Sequence, residues 1–490
     1  MMSFKPVILW TDVVMWVLLL ALGAYVWRVW RDPVLRAAWR RVFENGAAVA
    51  SCVVLAAMLL VTLVDSLHFR RALPNVAGGA AAFDTRTESV LDLALAKLIA
   101  SREKSYSQPL ATHGFVKEAV PPQAGAKPKL DAAGVPELPK RAYPRLKHGG
   151  AGLTDPQQQW LGDVLGRFAY GLVLGLIVAA GLRVLMRSAI HEQDAQALLR
   201  RRTIHWRAMW VSSSVVITLI CIGCALSWGQ GYHVLGTDRT GNDVLYTAIK
   251  SVRTAFVIGS LATIATLPLA LALGIAAGYF KGWVDDVIQY IYTVLSSVPN
   301  ILLIAACVLM VQVFLDKHPE LFETGLERAD LKIFLLCVIL GVTGWAGLCR
   351  LLRAETLKLR ELEYVQAATA FGVGPWGIMR RHILPNVMHL VLITTVMEFS
   401  SLILYEAVLS YVGIGVDPAM SSFGTMINQA RSEMARDPVV WWSFAAAFAF
   451  MVTLVLAANL FADAVRDAFD PRAKVARPMK MKTAAALAKN

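Results

Sequence analysis

Few residues in this 490-residue chain have types and spacings that do covalent chemistry. Cys221 and Cys224 have the C-x-x-C spacing of a redox dithiol or half a metal site. They sit midway along an apolar run, with no neighbouring His and no βαβ pattern, so they read as small apolar filler. Cys52, Cys307, Cys337 and Cys349 also lie in or beside apolar segments. His233, His318, His382 and His389 are scattered. No His/Asp/Glu metal cluster and no Ser/His/Asp order appears in the sequence. Nor does a Gly-rich phosphate loop ending Gly-Lys-Ser/Thr. The expectation is a chain that is not an enzyme, needs no cofactor or metal, and has no ATP site of its own. Two carboxylates remain, Glu398 and Glu406, inside an apolar run. Intramembrane carboxylates are costly and face a protein interior or an aqueous cavity. They are candidates for lining a route and contacting a cationic group, or for a carboxyl hydrogen-bonded to a neighbouring helix.

The polar stretch 363–386, EYVQAATAFGVGPWGIMRRHILPN, is the other candidate. It lies between two long apolar segments. Tyr364, Ala367, Ala368 and Phe371 recur at i, i+3, i+4 and i+7, which predicts a helix over 363–370 with one mostly small face. Gly372 interrupts it, and Gly374-Pro375 restarts the chain with Pro at the first helical position. A second short helix, 376–382, carries Arg380 and Arg381, and Leu384-Pro385-Asn386 is expected to end it. Small residues on one face let another backbone approach closely, so the loop reads as a plug for a partner's groove. The alternative is an ordinary amphipathic surface helix.

These candidates must be positioned by membrane helices. The chain is 57% hydrophobic, with a mean hydropathy of +0.53 and a net charge of +13. A soluble protein of this length is far more polar. No basic patch interleaved with aromatics stands outside the membrane-flanking loops, so the charge points to lipid and not to nucleic acid. Nine apolar runs are long enough to span a bilayer as helices: 6–27, 46–64, 168–186, 208–228, 254–279, 292–315, 332–352, 387–412 and 440–461. Arg28, Arg31, Arg36, Arg40 and Arg41 follow the first run, against Lys5 alone before it. That places the N-terminus outside and argues against a cleavable signal. Alternation then puts 278–286, the 363–386 loop and the basic tail inside. The tail's Arg466, Arg472, Lys474, Arg477, Lys480 and Lys482 agree.

The reading divides the chain into five parts. Residues 1–65 hold two N-terminal spans. Residues 66–160 form an extracytoplasmic insertion, in part irregular. Residues 161–207 hold a third extra span and a cytoplasmic loop bearing Arg187, Arg200, Arg201, Arg202 and Arg207. Residues 208–472 form a six-span core, and 473–490 a basic cytoplasmic tail. Within the insertion, Thr85-x-x-Glu88 reads as a capping box. It precedes an amphipathic helix through Val90, Leu91, Ala94, Leu95, Leu98 and Ile99, suited to lie on the bilayer or cover the outer face. Residues 108–152, with Pro121-Pro122, read as an irregular connection. Asp155-Pro156 reads as an N-cap followed by Pro at N1.

Several stretches resemble a known family. Gln366-Ala367-Ala368, Gly372 and Leu384-Pro385 resemble the "EAA" coupling loop of ATP-binding-cassette importer permeases, with Gln366 in place of the first Glu and Glu363 the closest acid. Further matches resemble the branch that carries peptides and nickel. They are His233-Val-Leu-Gly-Thr-Asp238, Gly241-Asn-Asp-Val-Leu245 (Asn242 for the usual Arg), and Arg253 after Ser251-Val252. Gly278-Tyr-Phe-Lys-Gly-Trp-Val-Asp285 and Ser297-Val-Pro299 follow. Glu406-Ala-Val-Leu-Ser-Tyr-Val-Gly-Ile-Gly415, Ser422-Phe-Gly-Thr-Met426, Asn459-Leu-Phe-Ala-Asp463 and Arg466-Asp-Ala-Phe-Asp-Pro-Arg472 complete an ordered series over 232–472.

The resemblance implies an all-α, polytopic fold in the inner (plasma) membrane of a bacterium, with a six-helix permease core plus about three extra N-terminal helices. It implies coupling through Glu363, Tyr364, Gln366, Ala367, Ala368, Gly372, Leu384 and Pro385 to two separate ATP-binding subunits. It further implies a second homologous permease, an extracytoplasmic solute-binding protein, and peptides (or nickel and related solutes) as cargo. The turn Gly236-Thr237-Asp238 lies on the side where a binding protein would dock; it also reads as a plain turn. A secondary transporter driven by an ion gradient is the alternative. It calls for internal repeats and broken helices, and no convincing repeat is visible.

Overall fold

A computed structural model describes residues 4–73, 83–119, 141–190, 205–322, 324–417 and 420–469, with the backbone alone at 187–190. Pro121, Pro122, Arg200, Arg201, Arg202, Arg472 and the 473–490 tail lie outside the described residues.

Strand β1 (Phe4–Val7) opens the chain, followed by α1 (Trp10–Arg31), α2 (Pro33–Glu44) and α3 (Gly46–Asp65). The Asp32 carboxylate accepts from the Val34 backbone at 2.9 Å, and Pro33 sits where a helix needs no N–H, so α2 starts sharply. The insertion supplies β2 (His68–Ala72), β3 (Phe83–Ser89), the short helices α4 (Val90–Ala94) and α5 (Ala96–Ala100), and strands β4 (Glu118–Ala119) and β5 (Arg141–Ala142). Then come α6 (Pro156–Ile190), α7 (Trp206–Ser227), α8 (Val244–Phe280), α9 (Gly282–Ser297) and α10 (Asn300–Lys317). Next are α11 (Gly325–Gly344), α12 (Ala346–Arg360), α13 (Glu363–Ala370) and α14 (Pro375–Ile378). A π-turn at Met379–Ile383 leads into α15 (Leu384–Val412), and α16 (Phe423–Met434) and α17 (Trp442–Phe469) close the described chain.

Among the described residues, eight helices are long and apolar enough to cross a membrane, nine if the bent pair α11–α12 counts as one. They fall on the nine expected runs. Among the described residues, the fold is all-α apart from two small antiparallel sheets, β1-β2-β3 and β4-β5. Pairing of Phe4–Val7 with His68–Ala72 puts residues 4–7 on the same face as the insertion.

Helix α8 organises the core. It packs against α3, α11, α12 and α15, and at 1.5 Å per residue its 37 residues reach about 55 Å. Small residues set its contacts. A Cβ on Gly274 would stand 2.9 Å from the Cys349 carbonyl oxygen, and one on Gly341 would stand 2.4 Å from the Ala265 Cβ. Backbones meet there without side chains between them.

Four local expectations need correction. The capping box is Ser89 with Asp92, not Thr85 with Glu88, because 83–89 is a strand paired with β2. The amphipathic helix past it is two short helices, broken at Leu95. The expected span 292–315 is split at Val298-Pro299: the residue before a proline is driven to extended backbone, here φ −88° and ψ 134°. Leu384-Pro385 does not end the second loop helix. The π-turn carries the chain through it, and the Asn386 amide donates to the His382 carbonyl at 2.6 Å.

Candidate functional site

Helix α13 spans the expected eight residues. It ends in a Schellman motif: Val373 N–H reaches the Ala368 carbonyl at 3.1 Å and Gly372 N–H the Thr369 carbonyl at 3.0 Å. That closure needs the left-handed backbone Gly372 adopts, φ +77°. Pro375 then starts α14. The Asn386 amide also donates to the Tyr364 hydroxyl at 3.0 Å, tying the first loop helix to the start of α15.

The loop has an inner and an outer side. Val365, Ala368, Ile378, Met379, Ile383 and Val387 are buried against α8 and α12. Tyr364, Ala367 and Gly372 are exposed, as are Glu363, Gln366 and Pro385, while Leu384 is half-buried. Phe371 is 88% and Trp376 80% exposed, two large apolar side chains at the apex. The face expected to hold Tyr364, Ala367, Ala368 and Phe371 together is therefore split. Ala368 joins Val365 one turn away on the buried stripe, and the other three form the neighbouring open one.

The loop is braced from beneath. Arg353 on α12 makes a two-pronged bond to Asp285 on α9, at 2.5 and 2.6 Å, which holds that carboxyl below its usual range. Lys281 pairs with Glu361 at 2.9 Å, and Arg360 donates to the Tyr279 carbonyl at 2.6 Å.

The two candidate carboxylates occupy different surroundings. Glu406 is enclosed by its own chain, 1% exposed, and accepts from the Ser410 hydroxyl at 2.7 Å. Glu398 is half-buried on the same helix. The Ser410 partner of Glu406 stands one turn on along its own helix and not on a neighbouring one, and Glu398 is the less enclosed of the two carboxylates.

At the opposite end of α8 the turn Gly236-Thr237-Asp238 is covered by the chain's own insertion. Gly236 (φ +73°) and Thr237 are buried. Ser107 N–H donates to the Thr237 hydroxyl at 2.7 Å, and Trp442 Nε1 donates to the Thr237 carbonyl at 2.9 Å. Phe115 packs edge-on against Trp442, 4.9 Å between rings. Asp238 bonds inside the turn, to Thr240 and Asn242. Gly236 and Thr237 are thus not open to a docking protein.

A buried latch secures this cover. His233 Nδ1 lies 2.8 Å from Asp243, whose other oxygen caps α8 through the Leu245 and Tyr246 amides. His233 Nε2 lies 3.7 Å from Glu103, an ion-pair distance and not a hydrogen bond. Glu103 accepts from the amides of Lys147, His148 and Gly149. Burial opposes the His233 charge, but the two carboxylates outweigh it and raise its pKa to about 9. Burial likewise opposes the Glu103 charge, yet His233 and the three amides bring it to about 2.

A larger charged cluster escaped the sequence reading. Arg253, 3% exposed on α8, lies 2.5 Å from Asp12 on α1 and 4.0 Å from Asp330 on α11. Asp330 accepts from the Thr11 amide at 3.1 Å and from its hydroxyl. Asp12 also meets His68 at 2.7 Å. One turn up α8, Lys250 contacts Asp92 at 2.9 Å and Asp65 at 3.3 Å. These bonds join the N-terminal spans and the insertion to the core. The available signal was the presence of Asp12, Arg253 and Asp330 within or beside apolar runs.

Comparison with known proteins agrees with this architecture. A family model described as "Binding-protein-dependent transport system inner membrane component" matches residues 270–475. The oligopeptide transport system permease protein OppC of Haemophilus influenzae is 31% identical over 243 residues, 50% of this chain and 71% of that protein. The glutathione transport system permease protein GsiD of Pectobacterium atrosepticum is 33% identical over 242 residues, 49% and 73% of the two chains. An inward-facing MetNI methionine ABC transporter structure aligns with 46% of this chain and 97% of that one, at 16% identity and a TM-score of 0.35. On the identity and coverage of the first two relatives, the chain belongs to the family of inner-membrane permease components of binding-protein-dependent transport systems.

Proposed function

We propose that the chain is one of two paired permeases of an ATP-binding-cassette importer for peptides, itself without enzymatic activity. The observation that carries this reading is the loop apex. Phe371 and Trp376 stand almost fully in solvent on two short helices whose inner sides are packed and braced. Exposed aromatic anchors on a rigid support are what a partner's pocket grips. The occupant is an ATP-hydrolysing subunit, one for each permease. The exposed face of α9 and α10, including Tyr290, Leu302 and Met310, supports pairing with the second permease. The peptide assignment draws on the names of the relatives, and Glu398 is the carboxylate available to meet a cationic amino terminus.

The test is purification of the complex from native membranes, with partners identified by mass spectrometry. The wild-type chain should retain an ATP-binding subunit. Phe371→Ala with Trp376→Ala should lose it, since each anchor contributes about 2 kcal/mol or more. Full retention by the double variant would defeat the coupling role of the apex.

A further inference from the structure

A cavity of about 210 Å³ opens on the insertion's side of the molecule, between α5, the 147–148 turn and the segment following α7. Its lining includes Lys97, Ser101, Lys147, His148, Ser227 and Gln230, and no carboxylate. The two lining lysines, Lys97 and Lys147, make no ion pair among the described residues, whereas Arg167 has Asp163 and His233 has Asp243. Lys97 donates to the Ser227 carbonyl, and Arg167 donates to the Trp228 carbonyl at 2.6 Å, so both converge on the C-terminal end of α7. Asp163 is taken by Arg167 and by the Tyr232 hydroxyl, each at 2.8 Å. Glu103 is committed to His233 and to the backbone of 147–149. Burial and the neighbouring Arg167 lower the Lys97 pKa, as an under-compensated cation requires.

The cavity's level in the membrane follows from its neighbours. It lies at the end of α7, where Trp228 is 76% exposed, and Trp160 near the start of α6 is also exposed. Tryptophans of this kind mark the headgroup level of a span. Helix α4 presents Val90 and Leu93 outward, the apolar face of an element lying along the interface. A cationic cavity at headgroup depth lies within reach of the phosphate of a neighbouring lipid.

We propose that this cavity holds the phosphate of an anionic membrane lipid, so that the headgroup bridges Lys97 on α5 and Lys147 to the outer end of α7. The lipid would fasten the insertion to the α6–α7 pair, the part of the chain that the Arg253 cluster does not reach.

The experiment uses the purified full-length chain in detergent. Short-chain phosphatidylglycerol, short-chain phosphatidylcholine and inorganic phosphate are titrated separately by calorimetry. Phosphatidylglycerol should bind about tenfold more tightly than phosphatidylcholine, and Lys147→Glu, which reverses one exposed charge, should abolish most of that preference. The lipid-free melting temperature of Lys147→Glu should equal that of wild type. Lys97→Met should reduce the preference as well, which guards against a local effect of the first change. Equal affinity for the two lipids would overturn the proposal. So would a preference unaltered in both variants. Binding of inorganic phosphate without a preference for phosphatidylglycerol would overturn the lipid as the source.

Discussion

The Arg253 cluster sets the sharpest expectation. Arg253, Asp12 and Asp330 are 3%, 3% and 0% exposed. Removing one partner of a buried ion pair costs about 3–5 kcal/mol, because the remaining charge stays buried without compensation. Arg253→Leu strands two carboxylates, Asp12 at 2.5 Å and Asp330 at 4.0 Å, so it belongs at the top of that range. Asp12→Leu strands Arg253 and frees His68, and follows next. Asp330→Leu leaves the closer Arg253–Asp12 pair intact and should cost least. The double change Arg253→Leu with Asp12→Leu should cost clearly less than the sum of its parts, since neither charge is then left alone. At about 1.4 kcal/mol per factor of ten, Arg253→Leu should raise the population of the opened form by roughly three to four orders of magnitude. The opened form is one in which α1–α3 and the insertion leave the core. Equilibrium unfolding in mixed micelles gives the free energies, and limited proteolysis within 66–119 reports the release. An Arg253→Leu variant within about 1 kcal/mol of wild type, or strict additivity of the pair, would refute the reasoning.

Three other outcomes follow from the geometry. Gly372→Val should abolish transport with membrane insertion intact: no atom lies within 4 Å of the added Cβ, so the cost is left-handed strain of about 1–2 kcal/mol at the Schellman turn and not a clash; unchanged uptake would count against it. The His233 latch should respond to pH. Its folded pKa, about 9, stands above the ordinary histidine value of 6.5, so its stabilisation is full below 6.5 and is lost as pH rises through about 9. Glu103, at about 2 against 4.5, contributes above 4.5 and loses its share as pH falls toward 2. The stability gap between wild type and His233→Gln should therefore shrink on the alkaline side, and a gap constant from pH 6 to 10 would contradict the assignment. Cysteine at 398 should react with a small water-soluble thiol reagent in at least one transport state, and cysteine at 406 in none, as their exposures require.

The spans and the loop were legible because their signals are local. Hydropathy locates all nine spans, and a 3.6-residue pattern ending at a glycine locates α13 to the residue. The insertion was not legible for the opposite reason. Tyr106 of the insertion and Glu433 meet across 327 positions of sequence, and nothing near either residue names the other. The segment FDTRTES carries no clean alternation. It becomes a strand because β2 supplies a partner, and the equally good capping signal at Ser89 then takes over from that at Thr85. Glu398 and Glu406 looked alike in the sequence because both are single carboxylates in one apolar run. Eight residues along a helix is slightly over two turns, and the neighbours packed at each level decide which is enclosed.

The outer cover and the inner loop sit at opposite ends of the same helix, and the bonds between define what can move. The first third of α8 is held at Tyr246, Lys250 and Arg253 by the insertion, α1 and α3. Its last third is held to α12, where Gly274 and Gly278 let the backbones of Cys349 and Arg353 approach. Between them lies Pro268, which removes one helical hydrogen bond. The 42° bend between α11 and α12 is close by, since Gly341 packs on Ala265 and Thr266. A proline inside one helix and a bend in its neighbour, at one level, lie between a half of the core bonded to the cover and a half bonded to the loop. On the proposed coupling role of the loop apex, a displacement imposed at Phe371 and Trp376 would pass through α12 and the inner part of α8 to that level. Beyond it, the displacement meets buried ion pairs that resist it. On that proposal the N-terminal spans and the insertion would serve as a frame for the half of the core they are bonded to, against which the half bonded to the loop turns.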